Sequence, residues 1–444
     1  MPLVALALFA FYLVLNTAFI KVSVGLPLKD LVLVALFGLI FVAYNRRVLQ
    51  FFRRHFAVVG VFLVFAVLGF FLTILNGSEL GVATESLLKV IVQPFLILVC
   101  TYALSSVVGV RVTAALFACC AGLTGIFAIL QSVGLDPAWQ VRDFLSNLQS
   151  ETAHIRAGVK SRARPMGLSL TPIIYSYHLA GAYIAMHFLY RNGLIKRPIY
   201  FVLLCAILLM ATANATRSLV LGILVHEAIH QLYPFRLNVI LAAIALGIVG
   251  IVGFAYLDTV GSRLTSVSDA SAVGRLMLYD YGLRLAADFP FGLGWGFDPV
   301  QYAWLYWEYL SEMGRAEAAF HLALHNACLN FFLAYGSYGV AIIAVLALIR
   351  PKTFAAILLF ATAYLLHALF HNDGLFLGDD YFWFAFAIFL SVRDARAAKE
   401  VSCGRRAVLP LRAHIVAPPP CTTIGSNRMA RPRGATKANG LPRS

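Results

Sequence analysis

Phe56-Ala57-Val58-Val59-Gly60-Val61-Phe62-Leu63-Val64-Phe65-Ala66-Val67-Leu68-Gly69-Phe70-Phe71-Leu72-Thr73-Ile74-Leu75 carries no charge over its whole length. Arg53 and Arg54 precede it, and Glu79 and Glu85 follow it. About 20 apolar residues at a helical rise of 1.5 Å cover the hydrocarbon core of a bilayer. The stretch therefore reads as a membrane span. The pattern recurs at Leu3–Ile20, Leu31–Tyr44, Leu87–Leu104, Val112–Leu130 and Thr171–Tyr190. It continues at Ile199–Ala211, Ser218–Leu232, Leu237–Tyr256, His325–Ile349, Phe354–Phe370 and Tyr381–Val392. The fold class that follows is an all-α integral membrane protein with about twelve transmembrane helices. Leu3–Ile20 lacks a basic leader and a small-residue cleavage site, so it reads as a retained helix. The second, seventh and twelfth spans are the shortest.

Composition agrees. Of 444 residues, 61% are hydrophobic and 12% charged, against roughly 45–50% and about 25% in soluble domains. The net charge of +15 would suit nucleic acid, but its location argues against that partner. Much of the excess lies beyond Val392, at Arg393, Arg396, Lys399, Arg405, Arg406, Arg412, Arg428, Arg431, Arg433, Lys437 and Arg443. That segment is Pro-rich at Ala417–Pro420 and lacks apolar periodicity, so residues 393–444 read as a solvated, disordered tail on a 1–392 membrane domain. Five of the seven cysteines fall inside apolar spans, and none has metal-ligand spacing.

Short cytoplasmic connections collect Lys and Arg. With Met1 inside, the inner connections hold Arg46, Arg47, Arg53, Arg54, Arg111, Arg191, Lys196, Arg197, Arg236, Arg350 and Lys352. The outer ones hold Glu79, Glu85, Asp373, Asp379 and Asp380; Lys21 and Lys29 run against the pattern. Both termini are then cytoplasmic. Two outer connections are long, at about Ser132–Leu170 and Leu257–Leu324, and long connections in a compact protein usually carry function.

Four polar motifs interrupt the apolar chain, and this topology places all four on the outer face. They are Arg164-Pro165-Met166-Gly167, Thr216-Arg217-Ser218, Gly274-Arg275 with Asp288-Phe289-Pro290-Phe291-Gly292-Leu293-Gly294-Trp295-Gly296, and His325-Asn326. Each has an ordinary explanation. The arginines could snorkel, His325-Asn326 could simply start a helix, and the glycines could make turns. Jointly, three arginines and a histidine at one membrane face suit an anionic ligand. Arg binds phosphate through a planar fork, and a neutral His can accept a hydroxyl proton.

The order of these motifs, with His325-Asn326-Ala327-Cys328-Leu329 followed by Gly336-Ser337-Tyr338-Gly339, resembles the O-antigen ligase and polymerase superfamily over about residues 164–349. The resemblance implies a bacterial inner-membrane glycosyltransferase working at the periplasmic face. Its donor would be a glycan on undecaprenyl diphosphate, and its acceptor the lipid A core or a growing glycan. Arg217 and Arg275 would hold the diphosphate, Arg164 would assist at the phosphate or the entrance, and His325 would sit by the acceptor hydroxyl as base or orienter. Fixed cations stabilise the charge that develops on a leaving diphosphate, and the scheme calls for no metal or other cofactor. Asn326, Trp295, Trp304 and Trp307 are candidate acceptor or glycan contacts. The tryptophans equally suit an interfacial helix. Lys89 is a candidate phosphate contact or a snorkelling lysine. Ligase, polymerase and transfer to a protein all stay open.

Two rivals belong to other classes. His226-Glu227-Ala228-Ile229-His230 is an H-E-x-x-H pattern of the zinc-protease kind, with Asn372-Asp373-Gly374 as a source of a third ligand. Helix rise puts His230 about 18 Å from Ser218, toward the inner face, whereas Asp373 is in an outer connection. The ligands would then lie on opposite faces. A transporter would also place charges in a membrane, but the outer clustering favours surface chemistry over a midplane route.

Overall fold

A computed structural model describes residues 1–18, 23–24, 26–148, 157, 159–162, 164–232, 270–312, 324–372 and 374–402. The expected ninth span, Leu237–Tyr256, Asp373 and the tail beyond Ser402 lie outside these residues. The architecture is helical, apart from a two-residue antiparallel ribbon pairing Ser23–Val24 with Leu26–Pro27.

The first half comprises α1 (Pro2–Thr17), α2 (Leu28–Arg54), α3 (Phe56–Leu75), α4 (Leu80–Leu87), α5 (Gln93–Val108), α6 (Val110–Ser132) and α7 (Asp136–Leu148). A single π-turn, Leu88–Val92, joins α4 to α5. Then come α8 (Pro172–Arg191), α9 (Arg197–Ala213), α10 (Arg217–Leu232), α11 (Ala270–Asp288), and the short α12 (Pro299–Tyr302) and α13 (Trp307–Glu312). The chain closes with α14 (Ala327–Ile349), α15 (Pro351–Ala368) and α16 (Tyr381–Ser402).

Among the described residues, six helical stretches are long and apolar enough to cross a bilayer: α2, α3, the continuous Leu80–Val108 rod, α6, α14 and α15. α1 and α9 are apolar but shorter. Their outward faces carry large hydrophobic side chains, among them Leu63, Phe71, Leu75, Phe201, Val202 and Leu348. Side chains of that kind face water in no stable soluble domain at this density, and they suit lipid.

α8 and α16 form the centre. Every residue from Tyr175 to His187 and from Tyr381 to Val392 is buried. Because protein surrounds these two helices, α8 carries Ser176, His178 and His187 within the bundle. Small residues bring the pair together: a side chain on Gly181 would meet the Tyr381 carbonyl at 2.8 Å.

Several helices run beyond the expected spans. α2 continues past Tyr44, where it kinks (φ −134°, ψ 34°), to Arg54. α16 continues past Val392 to Ser402, because Asp394 is held by His55, Tyr102 and Arg54. The two long connections are also not loops throughout. The first opens with α7, and the second contains α11, α12 and α13.

Candidate functional site

The first motif builds a clamp. Gln131, buried on α6, accepts hydrogen bonds from the backbone N–H groups of Met166 and Gly167, each at 2.9 Å, and donates to the Gly167 carbonyl at 3.0 Å. Gly167 has φ +61°, and a Cβ there would lie 2.2 Å from the Thr124 carbonyl, so the position needs glycine. The turn fixes half-buried Arg164. Its Nε donates to the Asn214 carbonyl (2.9 Å), and Nη2 donates to the Ala215 carbonyl (2.9 Å) and Thr216 Oγ1 (3.1 Å). Those acceptors end α9 and lead into α10, whose first residue is Arg217. Arg164 thus holds the turn that presents Arg217. Its Nε and Nη2 are engaged with this turn, beside the residue that the sequence reading assigned to the diphosphate. The turn is tight: Ala215 sits at φ +53°.

The second cluster starts one residue later. Ser218 Oγ lies 2.9 Å from His367 Nδ1 and 3.1 Å from His371 Nε2, and His367 Nε2 lies 2.9 Å from Ser176 Oγ. Asn372 Oδ1 accepts the His325 backbone N–H at 2.7 Å, and Asn330 Nδ2 donates to the Asn372 carbonyl at 3.1 Å. Thr216-Arg217-Ser218 and His325-Asn326 are therefore joined through the His367–Asn372 segment. His325 is half-buried at φ +51°, a region costly for a residue with a side chain and one that recurs at functional sites. His367 and His371 were not foreseen. The available signal was a pair of histidines four apart, at the end of a span otherwise made of apolar and aromatic residues and one threonine.

Helix starts converge here. The Asn214 side chain donates to the Pro172 carbonyl at the start of α8, Arg217 starts α10, and Asn326 caps α14. Helix N-termini present free N–H groups and partial positive charge, which suits an anion. Asn326 Oδ1 accepts from Cys328 N (2.9 Å) and Leu329 N (3.1 Å). That oxygen is committed to the cap, so the ordinary reading of Asn326 as a helix start holds.

The third motif docks on α14. Gly336 interrupts that helix at φ +61°, ψ −161°. The groups freed by the break are satisfied from outside: Leu293 N donates to the Leu333 carbonyl (2.6 Å) and Ser337 N donates to the Pro290 carbonyl (2.8 Å). A Cβ on Gly336 would fall 2.1 Å from the Phe291 carbonyl carbon, and one on Gly292 would fall 2.5 Å from Gly336 N. The two glycine motifs are thus halves of one backbone contact. Arg275 lies within α11, not in a loop. It precedes by one turn Tyr279, whose hydroxyl donates to the Leu369 carbonyl at 3.1 Å, so its helix is docked beside His371.

The remaining candidates separate. Trp295 is turned inward, with Nε1 donating to Tyr335 Oη (2.8 Å) and its ring filling the space over Gly69. Trp304 and Trp307 are 68% and 49% exposed and stack on each other with centroids 5.8 Å apart. That pair, unlike Trp295, offers ring area outward. Exposed Lys89 pairs with Glu85 across the π-turn.

Among the described residues, H-E-x-x-H gains a third histidine; Asp373, the source of a third ligand expected from sequence, lies outside them. His187 on α8 joins His226 and His230, with one nitrogen from each lying within 4.8 Å of the others. The adjacent Glu227 accepts from Tyr183 Oη at 2.8 Å and from the Tyr200 hydroxyl. This cluster lies nine to thirteen residues along α10 from Arg217, about 14–20 Å away.

Residues 198–344 match the family model described as O-antigen ligase. The match takes in Arg217, Arg275, the glycine-rich stretch, His325 and Gly336. Arg164 and the His367–Asn372 segment fall outside it. No curated protein matches the chain.

Proposed function

From the match of residues 198–344 to the O-antigen ligase family model, we propose that this protein is a glycosyltransferase of surface polysaccharide biosynthesis in the bacterial inner membrane. It transfers a glycan from undecaprenyl diphosphate to an acceptor hydroxyl at the periplasmic face, as an O-antigen ligase or as an O-antigen or exopolysaccharide polymerase. The acceptor is the lipid A core or a growing glycan. The observation that carries the reading is the hydrogen-bonded join between the Thr216-Arg217-Ser218 turn and His325 through His371 and Asn372.

In the reaction, the acceptor oxygen forms a bond to the anomeric carbon. The bond from that carbon to the diphosphate oxygen breaks, and undecaprenyl diphosphate leaves with the electron pair. Arg217 and Arg275, with the N-terminus of α10, bind the diphosphate and stabilise the charge it gains. His325 orients the acceptor hydroxyl and takes its proton. Arg164 keeps Arg217 in register. Trp304 and Trp307 offer the faces on which sugar rings can stack.

The test is transfer from a lipid-diphosphate glycan donor by purified protein, with product followed on stained gels and folding checked by gel filtration. Arg217→Ala removes a charged contact worth about 2–5 kcal/mol, roughly thirtyfold to several-thousandfold in rate. Arg217→Lys keeps the charge without the fork and stays impaired. His325→Ala lowers turnover more than donor affinity. Normal product from well-folded Arg217→Ala and His325→Ala overturns the assignment.

A further inference from the structure

The end of α10 remote from Arg217 holds a cluster that the transfer reaction does not use. His226 and His230, four apart, project from one face of α10, and His187 meets them from α8. His187 is 3% exposed and His226 1%. Both ring nitrogens of His226 are buried without a hydrogen-bond partner. A buried imidazole in that state is costly unless something binds it. His230 Nε2 makes one long contact, 3.4 Å, to the Leu359 carbonyl of α15.

We propose that His187, His226 and His230 bind one divalent first-row transition metal ion, zinc by ligand type. Three neutral imidazoles suit zinc, cobalt or nickel, and not magnesium or calcium. At metal–nitrogen distances of about 2.0–2.1 Å, tetrahedral ligand atoms lie about 3.4 Å apart. The cluster spans at most 4.8 Å without an ion, so small ring rotations close it. Glu227 supplies the carboxylate that a metal-binding histidine commonly has behind it: Oε1 is 3.9 Å from His187 Nε2. Tyr183 and Tyr200 fix that carboxylate, and its charge offsets Arg191, one turn beyond His187 on α8.

The ion's role follows from position. It ties α8 to α10, with Glu227 and Tyr200 linking α9, and so braces the helices whose far ends form the Arg217 turn. At about 14–20 Å from Arg217, it touches neither donor diphosphate nor acceptor. Glu227, held by two phenols, orients a ligand and does not activate water, which separates this site from an H-E-x-x-H protease. The proposal is independent of the glycan reaction.

The test uses full-length protein in detergent, stripped with chelator and titrated with Co²⁺, then with Zn²⁺ in competition. Wild type should take up one equivalent of Co²⁺ with visible d–d absorption, displaced by Zn²⁺. Zn²⁺ should raise the thermal midpoint by several degrees. His226→Ala and His187→Ala should lose both effects. Glu227→Gln should bind roughly 10–100-fold more weakly. Wild type that binds no stoichiometric Co²⁺ overturns the proposal without reference to any variant. Binding that survives in both histidine variants overturns it as well.

Discussion

Single residues at this site act through what they hold. Arg164 spends its fork on the Asn214–Thr216 turn, and His325 is pinned through its backbone to Asn372. Asp380 shows the same economy with a titrating group. It sits in the turn before α16, accepts from Gln93 Nε2 at 2.8 Å, and has Lys29 Nζ at 3.9 Å. Its other oxygen is buried without a hydrogen-bond partner. Burial pushes its carboxyl up to about 6, against the lowering effects of Lys29 and Gln93. The folded state therefore holds the proton more tightly than the unfolded chain does. Stability from this group is full below about pH 4 and falls as pH rises toward 6; above that the loss is complete. Asp380→Asn keeps an acceptor for Gln93 and removes the ionisation. It should stabilise the fold at pH 7.5 by at most about 3 kcal/mol, raising the thermal midpoint there, and flatten the difference between pH 4.5 and pH 7.5. An unchanged pH profile would show that Asp380 does not titrate in this range.

Between elements, the contact of Gly292 with Gly336 explains why two glycine motifs some forty residues apart occur together. The break in α14 leaves Leu333 and Ser337 backbone groups open, and Pro290 and Leu293 close them. Unpaired backbone groups are especially costly where water is excluded. Gly336→Ala places a methyl against Phe291 backbone at a positive φ. It should cost about 2–4 kcal/mol from strain and the lost docking. The expected result is a lower thermal midpoint and weaker transfer, with donor binding less affected than turnover. This contact also marks how far the sequence was legible. Apolar runs identified α3, α6, α14 and α15, because lipid imposes length and apolarity directly. The motif order led to Arg217 and His325. The histidine pair His367 and His371, the clamp role of Arg164 and the approach of His187 to His226 were hidden. Each depends on which helices become neighbours, and periodicity within one helix carries no record of that.

At the scale of the molecule, α3 links two chemically different ends. Its first residue, Phe56, has the Arg350 guanidinium over its ring, and the preceding Arg54 and His55 meet Asp394. At its other end Thr73 accepts from Trp295 N, and Asn76 Nδ2 reaches the Gly292 carbonyl. Twenty residues of helix separate these ends, about 30 Å, the thickness of a hydrocarbon core. α14 runs between the same ends, from the Asn326 cap to Arg350. The glycine-rich stretch and His325 thus belong to one end, and Arg54, Arg350 and Arg393 to the other. Basic residues near span ends favour the cytoplasm, so the Arg350 end should face inward and the Arg217 end the periplasm. Reporter fusions decide this. Alkaline phosphatase joined after Glu308 should be active, and a fluorescent protein joined after Ser402 should fluoresce. The reverse pair would place the diphosphate site on the cytoplasmic face and remove the basis for periplasmic transfer. The described spans would stand, since their length and apolarity do not depend on which way the bundle points.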